Sequence, residues 1–534
     1  MTLDPKLEPV LDWQDIQGNI LAGFNKDHQM LGGFRLGTDV FKNKSFVSFL
    51  SKRVTSLKEI VPHKAARANY LQQFGVEPED LKATWTAVAF SYKGLQALTP
   101  EASAFTDVEF REGLPKSASR LGDPLNSAGE TDFSEWVIGS PGNIPDVLVI
   151  VAADDPEELV ETFRVIRQSA ESLGIEKIYE ETGHDLSYYS DEQHLFPKGH
   201  EHFGFKDGVS QPGVRGVFPT GESLTKRVEP VDPNDSGPEY AEKGKPLVCA
   251  GQFVLGYAQQ IDYAARQPGA PRPLGAQPNS VGPTWAANGS FLVFRRLRQD
   301  VAGFYEFIAE NASAIGRADL AAGRLAAMLV GRWPSGAPII RASTHDDPHS
   351  ADPSLVNAFA YGDDNEPLNL PNDSEGLVCP VAAHIRKVNP RDGDTDIGQA
   401  SAALTKRILR RGIPYGPPVR PGMADESFVD RGLLFLSYQS SIANQFEFLC
   451  SRWMNSASLP RNPSNHLEGL GFDMIVGQQQ FGRIRSAYLR FAPSGAIDIP
   501  VTNQSANLKD WVIPTGGGYF FAPSISAIST ILGS

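Results

Sequence analysis

The sequence repeats one local pattern, in which a short strand-forming run is followed by a polar break and then by an amphipathic helix. The segment 146–166 shows the pattern most clearly. Its run Asp146–Val151 consists mostly of valine and isoleucine, which predicts a strand. Asp155 then predicts a helix N-cap, with Pro156 at the first helical position. The same order recurs at 85–98, 291–308, 433–453 and 519–532.

These units fall into two sets, which predicts a duplicated α+β fold in which each half is a sheet with helices packed on one face. A doubly wound α/β fold would use similar units and is the alternative. No GxGxxG or GxxxxGK[ST] motif follows a predicted strand, so nucleotide binding has no support. A turn-rich stretch at 229–245 predicts a boundary near residue 240, which divides the chain into domains 1–240 and 241–534.

Composition excludes several classes of function. The formal net charge of −14 opposes binding to nucleic acid or to an anionic membrane surface. The three cysteines form no CxxC pair, so neither a thiolate zinc site nor a disulfide framework is expected. No apolar run reaches ~18 residues, and residues 1–14 have no apolar stretch of the signal-peptide kind. We therefore expect a reduced, soluble, cytoplasmic protein.

One aspartate lies in a glycine-rich loop. Asp207 is flanked by Gly204 and Gly208, which allow the backbone to turn sharply and to approach a planar ligand. The simpler interpretation is that Asp207 is a turn residue. Two histidine pairs are also candidate metal ligands, although Pro348 interrupts the helix that the second pair would need. The pairs are His200 with His202 and His345 with His349.

A single histidine and a cluster of arginines complete the candidates. His384 lies in an apolar stretch followed by basic residues, where it is either a packed core histidine or a ligand. Arg407, Arg410 and Arg411 follow about 25 residues later and could equally be solvated charges. A lone histidine can be an axial haem ligand, and arginines suit haem propionates. Asp207 and Arg410 are the residue types that a haem peroxidase needs on the open face of the haem.

Taken in order, these motifs resemble the dye-decolorizing peroxidase family. The run Gly204–Gly208 matches the GxxDG signature of that family. Residues 379–391 are similar to its axial-histidine segment, and 410–416 to its distal-arginine segment. The resemblance extends from about residue 12 to the C-terminus, and the length suits the longer-chain branch. Further similar stretches are 15–20, 288–296, 331–334 and 516–521.

The resemblance implies two ferredoxin-like α+β domains, with one haem b held in the C-terminal domain. By position, His384 is the proximal ligand of the haem iron, Asp207 the distal acid and Arg410 the distal arginine. His200 matches a family histidine near the haem edge. Arg407 stands where some relatives have a haem-facing histidine, and it could bind a propionate.

Several smaller assignments follow from the same resemblance. The carboxylate that accepts the N–H of the proximal imidazole is either Glu468 or Asp473, and the residues do not decide between them. Phe521 is expected to wall the distal pocket. A bulky dye cannot reach a buried haem, so electrons are expected to leave through aromatic residues. Trp453 and Tyr415 are the nearest candidates in the sequence, with core packing as the alternative role.

The implied activity is oxidation of bulky aromatic donors, such as dyes and phenolics, by H2O2 in one-electron steps. A haem carrier or sensor without turnover is one rival, but it would not need both Asp207 and Arg410. A chlorite-decomposing enzyme is another, and it would keep an arginine without the acid of the GxxDG motif. The residues favour the peroxidase. The chain is expected to act as a monomer or homo-oligomer without nucleic-acid or membrane partners.

Overall fold

The computed structural model describes most of the chain. The described residues are 9–76, 78–190, 196–217, 240–242, 245–262, 276–314, 322–362, 369–419, 429–461, 471–478, 486–489, 499–502 and 510–534.

A sheet of nine strands forms the centre of the fold. In chain order the strands are β1 His28–Arg35, β2 Thr84–Phe90, β3 Val147–Ala153, β4 Glu176–His184, β5 Ser290–Gln299, β6 Leu409–Arg410, β7 Ile413–Tyr415, β8 Gly432–Gln439 and β9 Val512–Ala522. Their spatial order is β5-β9-β2-β3-β1-β4-β7-β8-β6, and every pairing is antiparallel. Because β8 also pairs with β5, the sheet closes into a barrel.

The same strand order occurs in both halves of the chain, as the predicted duplication requires. The first half has the order β4-β1-β3-β2, and the second has β9-β5-β8 followed by β7 and β6. This arrangement confirms the α+β class with an antiparallel sheet and excludes the doubly wound alternative. The two halves meet at only two single-residue pairings among the described strands, Phe90 with Phe521 and Gly183 with Tyr415.

Helices pack against the barrel. The helices of four or more residues are α1 Gly18–Leu21, α2 Val40–Ser51, α3 Leu57–Phe74, α4 Tyr92–Gln96, α5 Val108–Glu112, α6 Leu114–Leu121, α7 Pro156–Ser172, α8 Val301–Ala314, α9 Ala322–Val330, α10 His384–Lys387, α11 Ile442–Met454 and the C-terminal Ile528–Leu532, with Ile525–Ala527 just before the last. Helix α11 and the C-terminal helix have π-type hydrogen bonding. No helix in the described ranges is long and apolar enough to cross a membrane.

Short elements fill the connections. The 3₁₀ turns are Glu79–Leu81, Pro100–Ala104, Leu186–Tyr189, Ala250–Gln252, Thr284–Ala286, Pro348–Ala351 and Ala400–Lys406. Three small sheets lie outside the barrel. They join Gly213–Val214 and Tyr240–Glu242 to Lys245–Val248, Ala258–Gln259 to Ala276–Pro278, and Ser486–Leu489 to Ile499–Thr502.

The predicted unit at 146–166 forms as strand β3 and helix α7. The Asp155 side chain accepts the N–H groups of Glu157 and Glu158, so it caps α7 as predicted. Residues of β3 alternate between two buried clusters, because successive side chains of a strand point to opposite faces. Val147, Val149 and Val151 join the cluster that includes α2 and α7, and Leu148, Ile150 and Ala152 join the one that includes α3.

The predicted domain boundary is not tested by these elements. Residues 218–239 and 243–244, on either side of the proposed position near 240, lie outside the described residues. The division into 1–240 and 241–534 therefore stays a prediction.

Candidate active site

A cavity of about 320 Å³ lies in the second half of the molecule, beside strands β5 and β8. It brings together residues that are far apart in the sequence. Asp207, His384, Arg407 and Arg410 all line it. The remaining wall is largely apolar and comes from the ends of α9 and α11 and from the barrel, including Leu297, Val330, Ile385, Val388, Phe435, Phe446 and Leu449.

His384 is the first residue of α10 and is fixed by a buried carboxylate. Its Nδ1 lies 2.7 Å from Oδ2 of Asp473, whose side chain is fully buried. The other oxygen of Asp473 accepts the N–H groups of Ile475 and Val476 at 3.0 and 3.1 Å. With Nδ1 bonded to the carboxylate, Nε2 is the imidazole nitrogen that can coordinate a ligand. The alternative partner, Glu468, lies outside the described residues.

Two opposing effects set the pKa of Asp473. Burial by itself would raise this pKa, because the charged form loses its hydration. The charge and hydrogen bond of His384, together with the two backbone N–H groups, outweigh burial and lower the pKa. The carboxylate therefore stays ionised, and an ionised partner requires His384 to carry its proton on Nδ1.

A buried lysine ties α10 to the segment that leads to Asp473. Lys387 donates its ammonium hydrogens to the carbonyl oxygens of Ser456, Leu459 and Gly471 at 2.6–2.8 Å. Burial lowers the pKa of Lys387 to about 7. These three bonds fix the helix that carries His384 relative to its carboxylate partner.

Asp207 and Arg410 also line the cavity, and their side chains are hydrogen-bonded to each other. Arg410 donates from Nη1 to Oδ1 of Asp207 at 3.1 Å, and from Nη2 to the carbonyl of Ser210 at 3.1 Å. The side-chain amide of Gln211 also pairs with the backbone of Arg410, accepting its N–H at 3.3 Å and donating to its carbonyl at 3.1 Å. Four hydrogen bonds thus join the segment 207–211 to Arg410 of strand β6.

The turn that presents Asp207 needs glycine. Gly208 has a φ of +69°, a conformation that side-chain-bearing residues rarely adopt. Its N–H donates to Oδ1 of Asp207 at 2.6 Å. The N–H of Asp207 donates to the carbonyl of Gly199, and the N–H of Lys206 to that of Pro334. Asp207 is therefore a turn residue and a cavity residue at once, so the two interpretations of the sequence are compatible.

Arg411 has a different environment from its neighbour. Its guanidinium donates to the carbonyl oxygens of Asn19, Ile20 and Leu21, which end helix α1. Burial lowers the pKa of Arg411 to about 10. Arg411 does not line the cavity, whereas Arg410 does. Consecutive residues of a strand point to opposite faces, which explains the difference.

The structure places Arg407 in the lining of the cavity and His200 outside that lining. Arg407 lines the cavity and donates to the side-chain carbonyl of Asn389. His200 does not line it, because its ring nitrogens lie 3.0 Å from the backbone carbonyls of Lys198 and Pro334.

Phe521 is fully buried in an aromatic cluster of the barrel. Its ring centroid lies 4.9 Å from that of Phe105 and 5.6 Å from that of Phe291. It does not line the cavity, so the expected role as a wall of the distal pocket is not met by its position. The physical reason is strand alternation in β9, which turns this side chain into the core between the sheet and its helices.

The candidate aromatic exits are both buried. Trp453 is fully buried and donates from Nε1 to Oδ1 of Asp396 at 3.1 Å. Its ring packs edge-on against Phe448 at 5.0 Å between centroids. Tyr415 is buried in β7 and lies 3.1 Å from a carboxylate oxygen of Asp430.

The histidine pairs considered as metal ligands do not form a site. His202 Nε2 lies 2.9 Å from the carbonyl of Tyr415, and His345 Nδ1 lies 3.0 Å from the hydroxyl of Thr344. Within the described ranges, no group of three or more His, Cys, Asp or Glu side chains could hold a metal ion.

Glu201 and Gln299 are among the cavity residues that the sequence analysis did not identify. Glu201 lines the cavity and accepts three hydrogen bonds, one of them from Gln299, which also lines it. Burial raises the pKa of Glu201 to about 7. Glu201 lies between His200 and His202, and no pattern of the sequence marks it as a cavity residue.

The lining residues suit a haem group. The apolar wall matches a porphyrin ring, and Nε2 of His384 is available for iron. Arg407 is a cation of the kind that can bind a haem carboxylate.

Known proteins are similar to this chain over nearly its whole length. A family described as "DyP dimeric alpha+beta barrel domain" matches residues 15–185, and one described as "Dyp-type peroxidase, C-terminal" matches residues 276–462. Peroxidase 2 of Mycetinis scorodonius is 31% identical over 98% of this chain and 88% of its own length. Dye-decolorizing peroxidase of Mycena epipterygia is 32% identical with the same coverage.

Among solved structures, that of a decolorizing peroxidase from Auricularia auricula-judae superposes with a TM-score of 0.71 at 29% identity, covering 98% of this chain and 100% of the other. The similarity therefore extends over both halves of the barrel. The chain belongs to the dye-decolorizing peroxidase family, whose members are haem-dependent oxidoreductases that use H2O2.

Proposed function

We propose that this chain binds one haem b on His384 and uses H2O2 to oxidise bulky aromatic donors, such as dyes and phenolics, in one-electron steps. The observation that supports this most is the convergence of Asp207 and Arg410 in the cavity that His384 also lines. When bound, the haem supplies the iron at which the peroxide O–O bond is broken and to which donor electrons return.

His384 would hold the iron through Nε2. Its Nδ1–H donates to the buried carboxylate of Asp473 at 2.7 Å, which orients the ring and increases the electron density on the coordinating nitrogen. The two backbone N–H groups on Asp473 keep the carboxylate in place. Arg407 would bind a haem propionate from the cavity rim.

Asp207 moves the peroxide proton. Its Oδ1 accepts both the Arg410 guanidinium and the Gly208 N–H, whereas no described residue hydrogen-bonds to Oδ2. Oδ2 is therefore the oxygen that takes the proton from the inner peroxide oxygen and returns it to the outer one. Arg410 stabilises the negative charge that develops as the O–O bond breaks.

Electrons from bulky donors would reach the cavity through Trp453. This indole follows the cavity-lining residues Leu449 and Cys450 on α11 and is covered by Phe448. Its Nε1–H donates to the Asp396 carboxylate, and this negative charge stabilises the ring when it loses an electron. Tyr415 lacks such neighbours, because no residue of its barrel strand β7 lines the cavity.

The chain is proposed to work in a reducing compartment such as the cytoplasm. Its three cysteines are all free thiols in the structure, and Cys249 and Cys379 are buried. Burial raises the pKa of Cys379 to about 12, which keeps this thiol protonated and unreactive.

A spectroscopic experiment tests the function. Purified protein supplied with haem should show a Soret band that bleaches when H2O2 is added and recovers when a dye is supplied as donor. Dye absorbance should fall only when both haem and peroxide are present. Protein that takes up no haem, or a Soret band unchanged by excess peroxide, would overturn the proposal.

A further inference from the structure

The side chain of Glu201 accepts hydrogen bonds from the backbone of the loop that carries Asp207. Oε2 of Glu201 accepts the N–H of Phe203 at 2.9 Å, and Oε1 accepts the N–H of Phe205 at 2.9 Å. The backbone of Glu201 also pairs with this segment, donating its N–H to the carbonyl of Phe205 and accepting that of Gly204. Glu201 therefore forms hydrogen bonds with the backbone at both ends of the turn that precedes Asp207.

Gln299, at the end of strand β5, anchors this carboxyl group to the barrel. Its Nε2 donates to Oε2 of Glu201 at 2.6 Å. Strand β5 is hydrogen-bonded to a strand on each side, so the backbone that carries Gln299 is held in place. The contact chain runs from β5 through Gln299 and Glu201 to the amides of Phe203 and Phe205, two residues before Asp207.

Contacts with other segments hold the rest of the loop. Phe203 packs against Phe304 with ring centroids 4.6 Å apart, and the hydroxyl of Tyr305 donates to the carbonyl of Phe203 at 2.6 Å. Lys206 N–H donates to Pro334 O. These contacts fix where the turn lies in the molecule. The hydrogen bonds to Glu201 fix the backbone conformation of the turn itself.

We propose that Glu201 is a positioning residue, which acts through the loop 201–208 to hold Asp207 against Arg410. The proposal rests on the function proposed above for Asp207. A carboxyl group is suited to this role in either protonation state, because a carboxylate and a carboxylic acid can both accept hydrogen bonds at two oxygens. An amide cannot, since its nitrogen only donates.

The test compares Glu201→Gln with wild type by hydrogen–deuterium exchange of haem-free and haem-loaded protein. In the variant, one of the amides of Phe203 and Phe205 faces an NH2 group and loses its acceptor. We expect faster exchange in the peptide that contains 201–208, including the amides of Lys206 and Asp207. Asp146→Asn is the matched control, since Asp146 is a buried acid that accepts the N–H of Leu36 and does not line the cavity. It should leave exchange in this peptide unchanged.

The second measurement is the rate at which H2O2 bleaches the Soret band, followed over a range of pH. In Glu201→Gln, the displacement of Asp207 should slow the reaction about tenfold. The factor should be the same at every pH, and the haem content should be retained. Wild-type exchange and a wild-type rate would overturn the proposal. If Glu201→Gln instead loses one limb of the pH profile, the proposal is overturned as well. That result would mean that Glu201 itself transfers a proton in the reaction.

The two proposals can fail separately. If Asp207→Asn keeps full peroxide reactivity while Glu201→Gln speeds exchange, the positioning holds and the assigned role of Asp207 falls. If Glu201→Gln does not fold, Gln299→Leu replaces it, because it removes one of the three bonds to the Glu201 carboxyl group. About threefold slower bleaching and faster loop exchange are then expected, and unchanged values would overturn the proposal.

Discussion

Asp207 and Arg410 are 203 residues apart in the chain, and their side chains meet at 3.1 Å. Strand pairing and the Gln211 amide bring them together, since Arg410 lies opposite Ser437 on β8 while Gln211 binds its backbone. Neither residue type is unusual by itself. The pair therefore has the chemistry of a proton acceptor beside a charge stabiliser only because the fold places both at one cavity.

Replacing Asp207 by asparagine should leave haem binding intact and remove most peroxide reactivity, by ~10²–10⁴-fold. The amide has nearly the same shape but accepts no proton. The measurement is stopped-flow bleaching of the Soret band by H2O2. Equal rates in both proteins would leave Asp207 as a turn residue only.

Replacing Arg410 by leucine should slow the same reaction by ~10²–10³-fold without loss of haem. Arg411→Leu is the matched variant, because its guanidinium binds the carbonyl groups of Asn19, Ile20 and Leu21 outside the cavity. It should keep the peroxide rate and lose stability instead, by about 1–3 kcal/mol. A slow peroxide reaction in Arg411→Leu, with Arg410→Leu unaffected, would show that the two roles are exchanged.

Replacing His384 by alanine should produce protein with little bound haem and a weak Soret band, since the residue is the proposed axial ligand. His200→Ala is the control, and it should retain haem because its ring binds backbone carbonyl groups away from the cavity lining. The ratio of Soret to protein absorbance measures both. A normal ratio in His384→Ala would contradict the assignment.

At the level of elements, the regular strands and helices could be predicted because their apolar periodicity is strong. The four-residue α10 and the two-residue β6 could not, because they are too short to show a period, and they carry His384 and Arg410. The proposed roles of these two residues come from the family motifs instead. Glu201 had neither signal, because its role depends on backbone N–H groups that a sequence does not display.

Strand β9 also depends on glycine in a way that can be tested. A Cβ on Gly517, whose φ is +142°, would lie 2.1 Å from the carbonyl oxygen of Phe294 on β5. Gly517→Ala should therefore lower the free energy of unfolding by about 2–4 kcal/mol. Gly323→Ala, on the exposed start of α9 with no atom within 4 Å, should be neutral or slightly stabilising. Chemical denaturation measures both, and equal stabilities would contradict the close approach of the strands.

At the scale of the whole molecule, the closure of the barrel was the feature that sequence could not predict. Each half has the apolar pattern of an independent sheet, and that pattern is the same whether the sheet is open or joined to another. Closure depends on the pairings of Phe90 with Phe521 and Gly183 with Tyr415, which are single residue pairs at strand ends. Edge pairing of this kind has no sequence period.

The pH dependence of global stability should reveal the environment of Glu201. Burial raises its pKa from 4.5 to about 7, so folding favours the protonated form. The group contributes most to stability below pH 4.5, and this contribution is lost as the pH rises towards about 7. Relative to Glu201→Gln, which does not titrate, wild type should lose roughly 1–3 kcal/mol between these limits, with screening through the cavity included. Urea unfolding of both proteins at several pH values measures the difference, and parallel stability curves would contradict a carboxyl group that ionises near neutral pH.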